Sequence, residues 1–185
     1  MQNLCPCLWF DGQAEQAARR YVSIFKNSRI LATTRCQEGA VQPAGTVMSV
    51  RFVLDGQEFV ALNGGPRPPF TPAVSFVAYV DNQEELDGLW TKLAEGGEEG
   101  PCGWLNDRFG VSWQVVPKAL QEMLGKGDAA AGRVLEALMG MGRIDIATLV
   151  QAYENPGFRL RPLAAPGRPD AGRKPGRDDP PGAWR

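Results

Sequence analysis

Whatever chemistry this chain performs, it performs without histidine, which is absent from its 185 residues. Imidazole general bases and imidazole metal ligands are therefore excluded. The thiols are Cys5, Cys7, Cys36 and Cys102. Cys5-x-Cys7 lacks the second ligand pair that closes a tetrahedral zinc site, so all four read as free thiols of a reducing compartment. As a nucleophile Cys7 would need a base, and here that base would have to be a carboxylate. The most informative polar side chain is Gln114, in the stretch Gly103-Trp104-Leu105-Asn106-Asp107-Arg108-Phe109-Gly110-Val111-Ser112-Trp113-Gln114-Val115-Val116-Pro117. Asp107 and Gly110 bracket a tight turn, because Asp bonds its own backbone and Gly accepts positive φ. After the turn the residues alternate, with Ser112, Gln114 and Val116 on one face and Val111, Trp113 and Val115 on the other. A Gln on such an apolar strand faces either water or a ligand cavity.

Other polar groups carry weaker signals. Arg51 on a strand reads either as an anion ligand or as half of a cross-strand ion pair. Arg67, in a Pro-rich connection, reads as solvated. Gly64-Gly65 is not a phosphate loop, since no Gly-x-Gly-x-x-Gly or terminal Lys-Ser/Thr accompanies it and no helix follows at once. The strand, Gly-rich loop and helix of a doubly wound S-adenosylmethionine domain are also missing.

The elements that would position these groups are legible. Leu4 to Phe10 reads as a strand and Asp11 as the cap of a helix from Gly12 to Phe25, with Ala14, Ala17, Ala18, Tyr21, Ile24 and Phe25 at helical spacing. Arg29 to Cys36 is a second strand. Val47 to Leu54 and Gln57 to Asn63 flank Asp55-Gly56, a strong hairpin signal. Asn63 to Pro69 cannot continue a strand and joins two halves. Val74 to Val80 is a strand, and Asp81 caps a helix with Glu84 at the capping-box position and Leu86, Leu89, Trp90 and Leu93 as its stripe. Gly96 and Gly97 stop that helix. Trp9-Phe10-Asp11-Gly12-Gln13-Ala14-Glu15 is echoed by Tyr79-Val80-Asp81-Asn82-Gln83-Glu84-Glu85 roughly seventy residues later, so the chain reads as a duplicated βαβββ unit. Lys118 to Leu124, Arg133 to Met141 and Ile144 to Tyr153 form a helical appendix. The expected divisions are therefore 1–117 (halves 4–63 and 73–117), an appendix packed on it at 118–155, and a Pro/Gly/Arg-rich disordered tail at 156–185.

Composition narrows the function. Hydrophobic residues make up 43% and charged residues 22% of the chain, as in a soluble globular protein. No apolar run approaches the ~20 residues of a membrane span. The N-terminus lacks the basic and apolar regions of a signal peptide, so a cytoplasmic location is expected. From Pro156 onward seven basic and three acidic residues leave +4; the remaining 13 basic and 18 acidic residues leave −5. An acidic body argues against specific nucleic-acid binding.

Three motifs in order carry a family resemblance: Cys7-Leu8-Trp9-Phe10-Asp11-Gly12-Gln13-Ala14-Glu15; Asp55-Gly56-Gln57-Glu58-Phe59 with Ala61-Leu62-Asn63-Gly64-Gly65-Pro66; and Gly103-Trp104 to Pro117. Together they resemble the PhnB-like branch of the vicinal oxygen chelate superfamily, which includes glyoxalase I, extradiol dioxygenases and bleomycin-resistance proteins. The branch often carries the label 3-demethylubiquinone-9 3-methyltransferase domain. The resemblance spans Leu4 to Tyr153. It implies an α+β fold in which paired βαβββ modules form a curved, cup-like mixed sheet, here with a C-terminal helical appendix, and it implies a homodimer.

In metal-dependent relatives of this kind His and Glu on the cup strands hold one divalent ion. The position matching a common Glu is Gln114, the first-strand position offers at best a thiol, and the end of the fourth strand offers Asn63. Neutral ligands supply no charge to hold a cation, so no cofactor is expected and a divalent metal is disfavoured. Alternation within the implied cup gives Cys7, Trp9, Asn63, Ser75, Tyr79, Trp104, Ser112 and Gln114 as ligand-binding residues. Aromatic walls with a few amides and hydroxyls suit a planar or amphipathic small molecule. The leading expectation is a metal-free small-molecule binder acting by sequestration or sensing. The alternatives are a glyoxalase-like lyase or isomerase with an unusual metal shell, and a protein-interaction module using the appendix and basic tail. The methyltransferase label has no cofactor motif behind it.

Overall fold

The computed structural model describes residues 4–39, 42–66 and 69–159. The expected tail from residue 160 onward, and Arg67, lie outside the described residues. The first half runs β1 (Cys7–Phe10), α1 (Ala14–Ile24), β2 (Arg29–Arg35), β3 (Val47–Leu54) and β4 (Gln57–Asn63). The second runs β5 (Phe76–Val80), α2 (Gln83–Ala94), β6 (Glu98–Glu99), β7 (Trp104–Asn106) and β8 (Ser112–Pro117). After them come α3 (Lys118–Gly125), α4 (Ala129–Met139) and α5 (Ile146–Glu154). The strands form two mixed four-stranded sheets of matching order, β1-β4-β3-β2 and β5-β8-β7-β6. In each, the first strand in chain order (β1 or β5) forms one edge and lies parallel to its neighbour, while the remaining pairs are antiparallel. The duplicated α+β unit is thus present as two copies of one topology.

Local chemistry explains most boundaries. The β3–β4 turn takes positive φ at both Asp55 (44°) and Gly56 (85°), the type I′ geometry that matches strand twist. At the β7–β8 turn Asp107 Oδ1 accepts from the Phe109 and Val111 amides at 2.8 and 3.1 Å, and Gly110 has φ 83°. The helix starts differ from the sequence reading. No Asp11 side chain caps α1; Asn63 Oδ1 instead accepts from Ala14 N at 2.9 Å. The cap of α2 is Asn82, one residue after Asp81, and Glu85 rather than Glu84 reaches back to the Asp81 amide. Helix α4 begins at Ala129, ahead of the expected Arg133, because Asp128 caps the Ala130 and Ala131 amides. Its Ala-rich first turn has no apolar stripe to announce it, although Ala is the strongest helix former.

Each sheet has a closed and an open face. Leu8, Phe10, Val50, Phe52, Phe59 and Ala61 are buried on the first sheet's closed face, and Trp113 and Val115 on the second's. The two closed faces meet. Phe59 packs edge-on to Phe76 with centroids 5.2 Å apart, and Phe76 lies 5.4 Å from Trp113. Between them α1 inserts Tyr21, which contacts both Phe52 and Trp113. Ala14, Ala17 and Ala18 are fully buried, and their small side chains let α1 approach closely. The open faces of one chain belong to different sheets. The appendix is tied to the second half. Met141 and Gly142 carbonyls accept from Cys102 and Gly103, and Gln83 bonds both Ile144 O and Ile146 N. Among the described residues no helix is long and apolar enough to cross a membrane.

Candidate functional site

Residues i and i+2 share a strand face, so register assigns to a side each expected ligand residue except Ser75, which lies just before β5. Cys7 and Trp9 are exposed on the first sheet's open face, opposite Val60 and Leu62 of β4. Trp9 Nε1 donates to Gly65 O at 3.2 Å, and its indole leaves no room for a side chain at Gly64. Arg51 shares this face and pairs with Glu58 across the strands, 2.6 Å apart at the closest atoms. The cross-strand reading of Arg51 is the one observed. Near Cys7, partial desolvation and then the Glu58 carboxylate hold the Cys5 thiol above its ordinary range. That shift disfavours a thiolate at Cys5.

Asn63 departs from expectation. It pairs in register with fully buried Phe10, so its side chain is on the closed face, away from Cys7 and Trp9. Its amide is spent on the fold: Oδ1 caps α1, and Nδ2 donates to Val47 O at 2.9 Å. A polar side chain on a strand face had suggested a ligand role; here that side chain is buried and both ends of its amide are bonded within the fold.

The other five residues gather on the second sheet. Gln114 of β8 lies opposite Val77 of β5 on one side and Trp104 of β7 on the other. Gln114 Nε2 donates to Ser75 Oγ at 2.9 Å. Ser112, itself buried, donates to Asn106 Oδ1 at 2.8 Å. Tyr79 is 48% exposed, and its hydroxyl accepts from Gln121 Nε2 on α3 at 2.6 Å. The sequence reading missed both Asn106 and Gln121. A helical Gln beyond the last strand carries no signal that it will reach back over a sheet.

The structure therefore brings Ser75, Tyr79, Trp104, Ser112 and Gln114 together and holds Cys7 and Trp9 on a separate face. The donors exposed with Gln114 are amides and hydroxyls. Among the described residues no group of three or more His, Cys, Asp or Glu side chains converges as a metal site would need. This donor set does not fit the divalent ion found in metal-dependent vicinal oxygen chelate proteins. A groove of about 710 Å³ lies beside the second sheet, among Lys26, Asp55, Asp81, Glu85 and Lys118, and of the expected ligand residues only Tyr79 lines it. Its rim is closed by the ion pairs Lys26–Glu85 (2.8 Å) and Lys118–Asp81 (2.7 Å), so those charges already have partners.

Comparison with known proteins bears on this geometry. Residues 2–116 match the family model described as 3-demethylubiquinone-9 3-methyltransferase. A solved structure described as a 3-demethylubiquinone-9 3-methyltransferase, PhnB protein, from Bacillus cereus is 35% identical with a TM-score of 0.58; the match covers 63% of this chain and 99% of that one. Protein PA1353 from Pseudomonas aeruginosa is 24% identical with a TM-score of 0.53, covering 63% and 98%. Among curated proteins none matches.

Proposed function

Because the chain belongs to the 3-demethylubiquinone-9 3-methyltransferase family, a PhnB-like branch of the vicinal oxygen chelate superfamily, we propose that it is a metal-free small-molecule-binding protein that works as a homodimer. The observation carrying this reading is the open face of the second sheet. There Trp104, Tyr79 and Val77 provide apolar surface around the bonded pair Gln114–Ser75. Tyr79 and Val77 are 48% and 41% exposed, an uncovered apolar area of the kind that marks a binding surface. Aromatic walls around a few fixed polar groups match what small ligands use.

The division of the site supports the dimer. Trp9 and Cys7 face outward on one sheet, Tyr79, Trp104 and Gln114 on the other, and one chain holds these faces apart. A second copy laying its first sheet over this chain's second sheet would enclose the set as a cup. The methyl transfer in the family's description is not carried over. Each sheet has a single parallel strand pair, whereas a nucleotide-type cofactor site uses a doubly wound parallel sheet with a Gly-rich turn. The donors around Gln114 on the second sheet are neutral amides and hydroxyls, which supply no charge to hold a divalent ion.

The test combines mass and binding. Sedimentation at micromolar concentration is expected to give twice the chain mass, and a monomer would defeat the dimer. A small-molecule screen by thermal shift is expected to yield hits that Gln114→Ala abolishes; hits unaffected by that change would defeat the site. Elemental mass spectrometry on chelator-free protein is the third arm. One ion per chain with marked stabilisation would move the reading to metal-assisted lyase or isomerase chemistry.

A further inference from the structure

The helix α3 lies past the family-matched residues 2–116, yet it reaches the exposed face through one contact, Gln121 Nε2 to Tyr79 OH at 2.6 Å. A second contact, Lys118 to Asp81 at 2.7 Å, pins the start of α3 to the end of β5. The direction of the Gln121 bond carries the argument. An amide nitrogen only donates, so the Tyr79 oxygen is the acceptor and its own proton stays uncommitted. Tyr79 is 48% exposed and stands beside Val77 and Val116 on the open face. Ser75 is placed the same way, since it accepts from Gln114 Nε2 and keeps its hydroxyl proton. Two hydroxyls on an apolar surface therefore each accept from a glutamine amide and keep a proton free to donate. Such a surface selects a ligand that brings acceptors.

We propose that α3 is a wall of the ligand site and that Gln121 is a positioning residue, holding the Tyr79 hydroxyl as donor to a carbonyl or ether oxygen on an apolar, aromatic ligand. This inference rests on the small-molecule reading above. It adds to that reading the ligand's acceptor chemistry and a role for a segment outside the family-matched residues. A neighbouring donor also makes the phenol a stronger donor, because bonds in a chain polarise one another.

The experiment measures affinities of the full-length protein for two probes of similar shape, 2-acetylnaphthalene and 2-isopropylnaphthalene, by titration calorimetry or tryptophan quenching. The quantity read is the ratio of the two dissociation constants. In Tyr79→Phe the preference for the acetyl probe is expected to fall about 3- to 10-fold, the worth of one neutral hydrogen bond. Gln121→Glu offers an acceptor that captures the Tyr79 proton, so it should lose the preference as Tyr79→Phe does. Gln121→Lys keeps a donor behind the phenol and should retain it. A merely structural role for Gln121 would not sort Glu from Lys in this way. A ratio unchanged in Tyr79→Phe or Gln121→Glu overturns the inference and leaves small-molecule binding standing. Failure of the unaltered protein to bind either probe overturns both.

Discussion

Asp107 is the residue whose removal should cost the fold most for the least change in shape. The residue is 4% exposed, and no cation is bonded to its carboxylate among the described residues. Four donors satisfy it instead: the amides of Phe109 and Val111 at 2.8 and 3.1 Å, Tyr21 OH at 2.7 Å and Trp113 Nε1 at 2.9 Å. The Tyr21 bond joins the two halves of the chain across 86 residues. Asp107→Asn keeps the shape but turns one oxygen into a donor. If its oxygen stays with the backbone amides, its NH₂ faces Tyr21, which can rotate to accept, and Trp113, which cannot. The Trp113 bond is then lost, leaving an indole N–H buried without a partner, and the other three become weaker neutral bonds. At about 1–3 kcal/mol for each such loss, the expected cost is about 2–4 kcal/mol. For a chain of this size that is a fall in Tm of roughly 4–16 °C. Urea unfolding followed by Trp fluorescence reads the cost directly, and Tyr21→Phe supplies the other arm of a double-mutant cycle. The two changes share one bond, so the double variant should lose less than the sum of the singles, with about 1–2 kcal/mol of coupling. An Asp107→Asn protein within about 0.5 kcal/mol of the parent would refute the claim that this carboxylate locks the halves together.

Burial, followed by the charge of Asp107 and its hydrogen bond, raises the Tyr21 phenol well above the usual tyrosine range. The folded state thus holds this proton more tightly than the unfolded chain. Its stability contribution is complete below the unfolded pKa near 10 and declines as pH rises from there toward the folded value, by up to about 1.4 kcal/mol per pH unit. Tyr21→Phe should flatten that alkaline loss relative to the parent in urea titrations between pH 9 and 11, and parallel curves would contradict it. Asn63→Ala removes the cap on Ala14 and the bond to Val47 O, so it should cost about 1–3 kcal/mol in urea unfolding while leaving probe affinity on the second sheet unchanged. An effect on affinity without one on stability would return Asn63 to the ligand site.

The architecture was legible because its signals are local. Alternation marked the strands, Asp55-Gly56 and the Asp107 turn marked two hairpins, and the echo of Trp9–Glu15 in Tyr79–Glu85 disclosed the duplication. The strand and turn patterns depend on neighbours two to four residues away, and the echo on comparing two stretches of the same chain, so a sequence displays both. The facing of Ser112, Gln114 and Val116 against Trp113 and Val115 was legible for the same reason. Which face of a sheet is covered is a different kind of fact. Alternation divides the side chains into two sets, but only packing against α1 and the opposing sheet decides which set meets the core. That decision buried Asn63, left Trp9 and Tyr79 exposed on different sheets, and split the expected site in two. Contacts between distant residues were likewise set only by the tertiary structure: Asn63 capping a helix 49 residues earlier, Tyr21 reaching Asp107, and Gln121 reaching Tyr79. Each of these hydrogen bonds is made by a polar side chain ordinary for its own element. What gives it a role is the fold carrying a donor and an acceptor from far apart in the chain to within 3 Å.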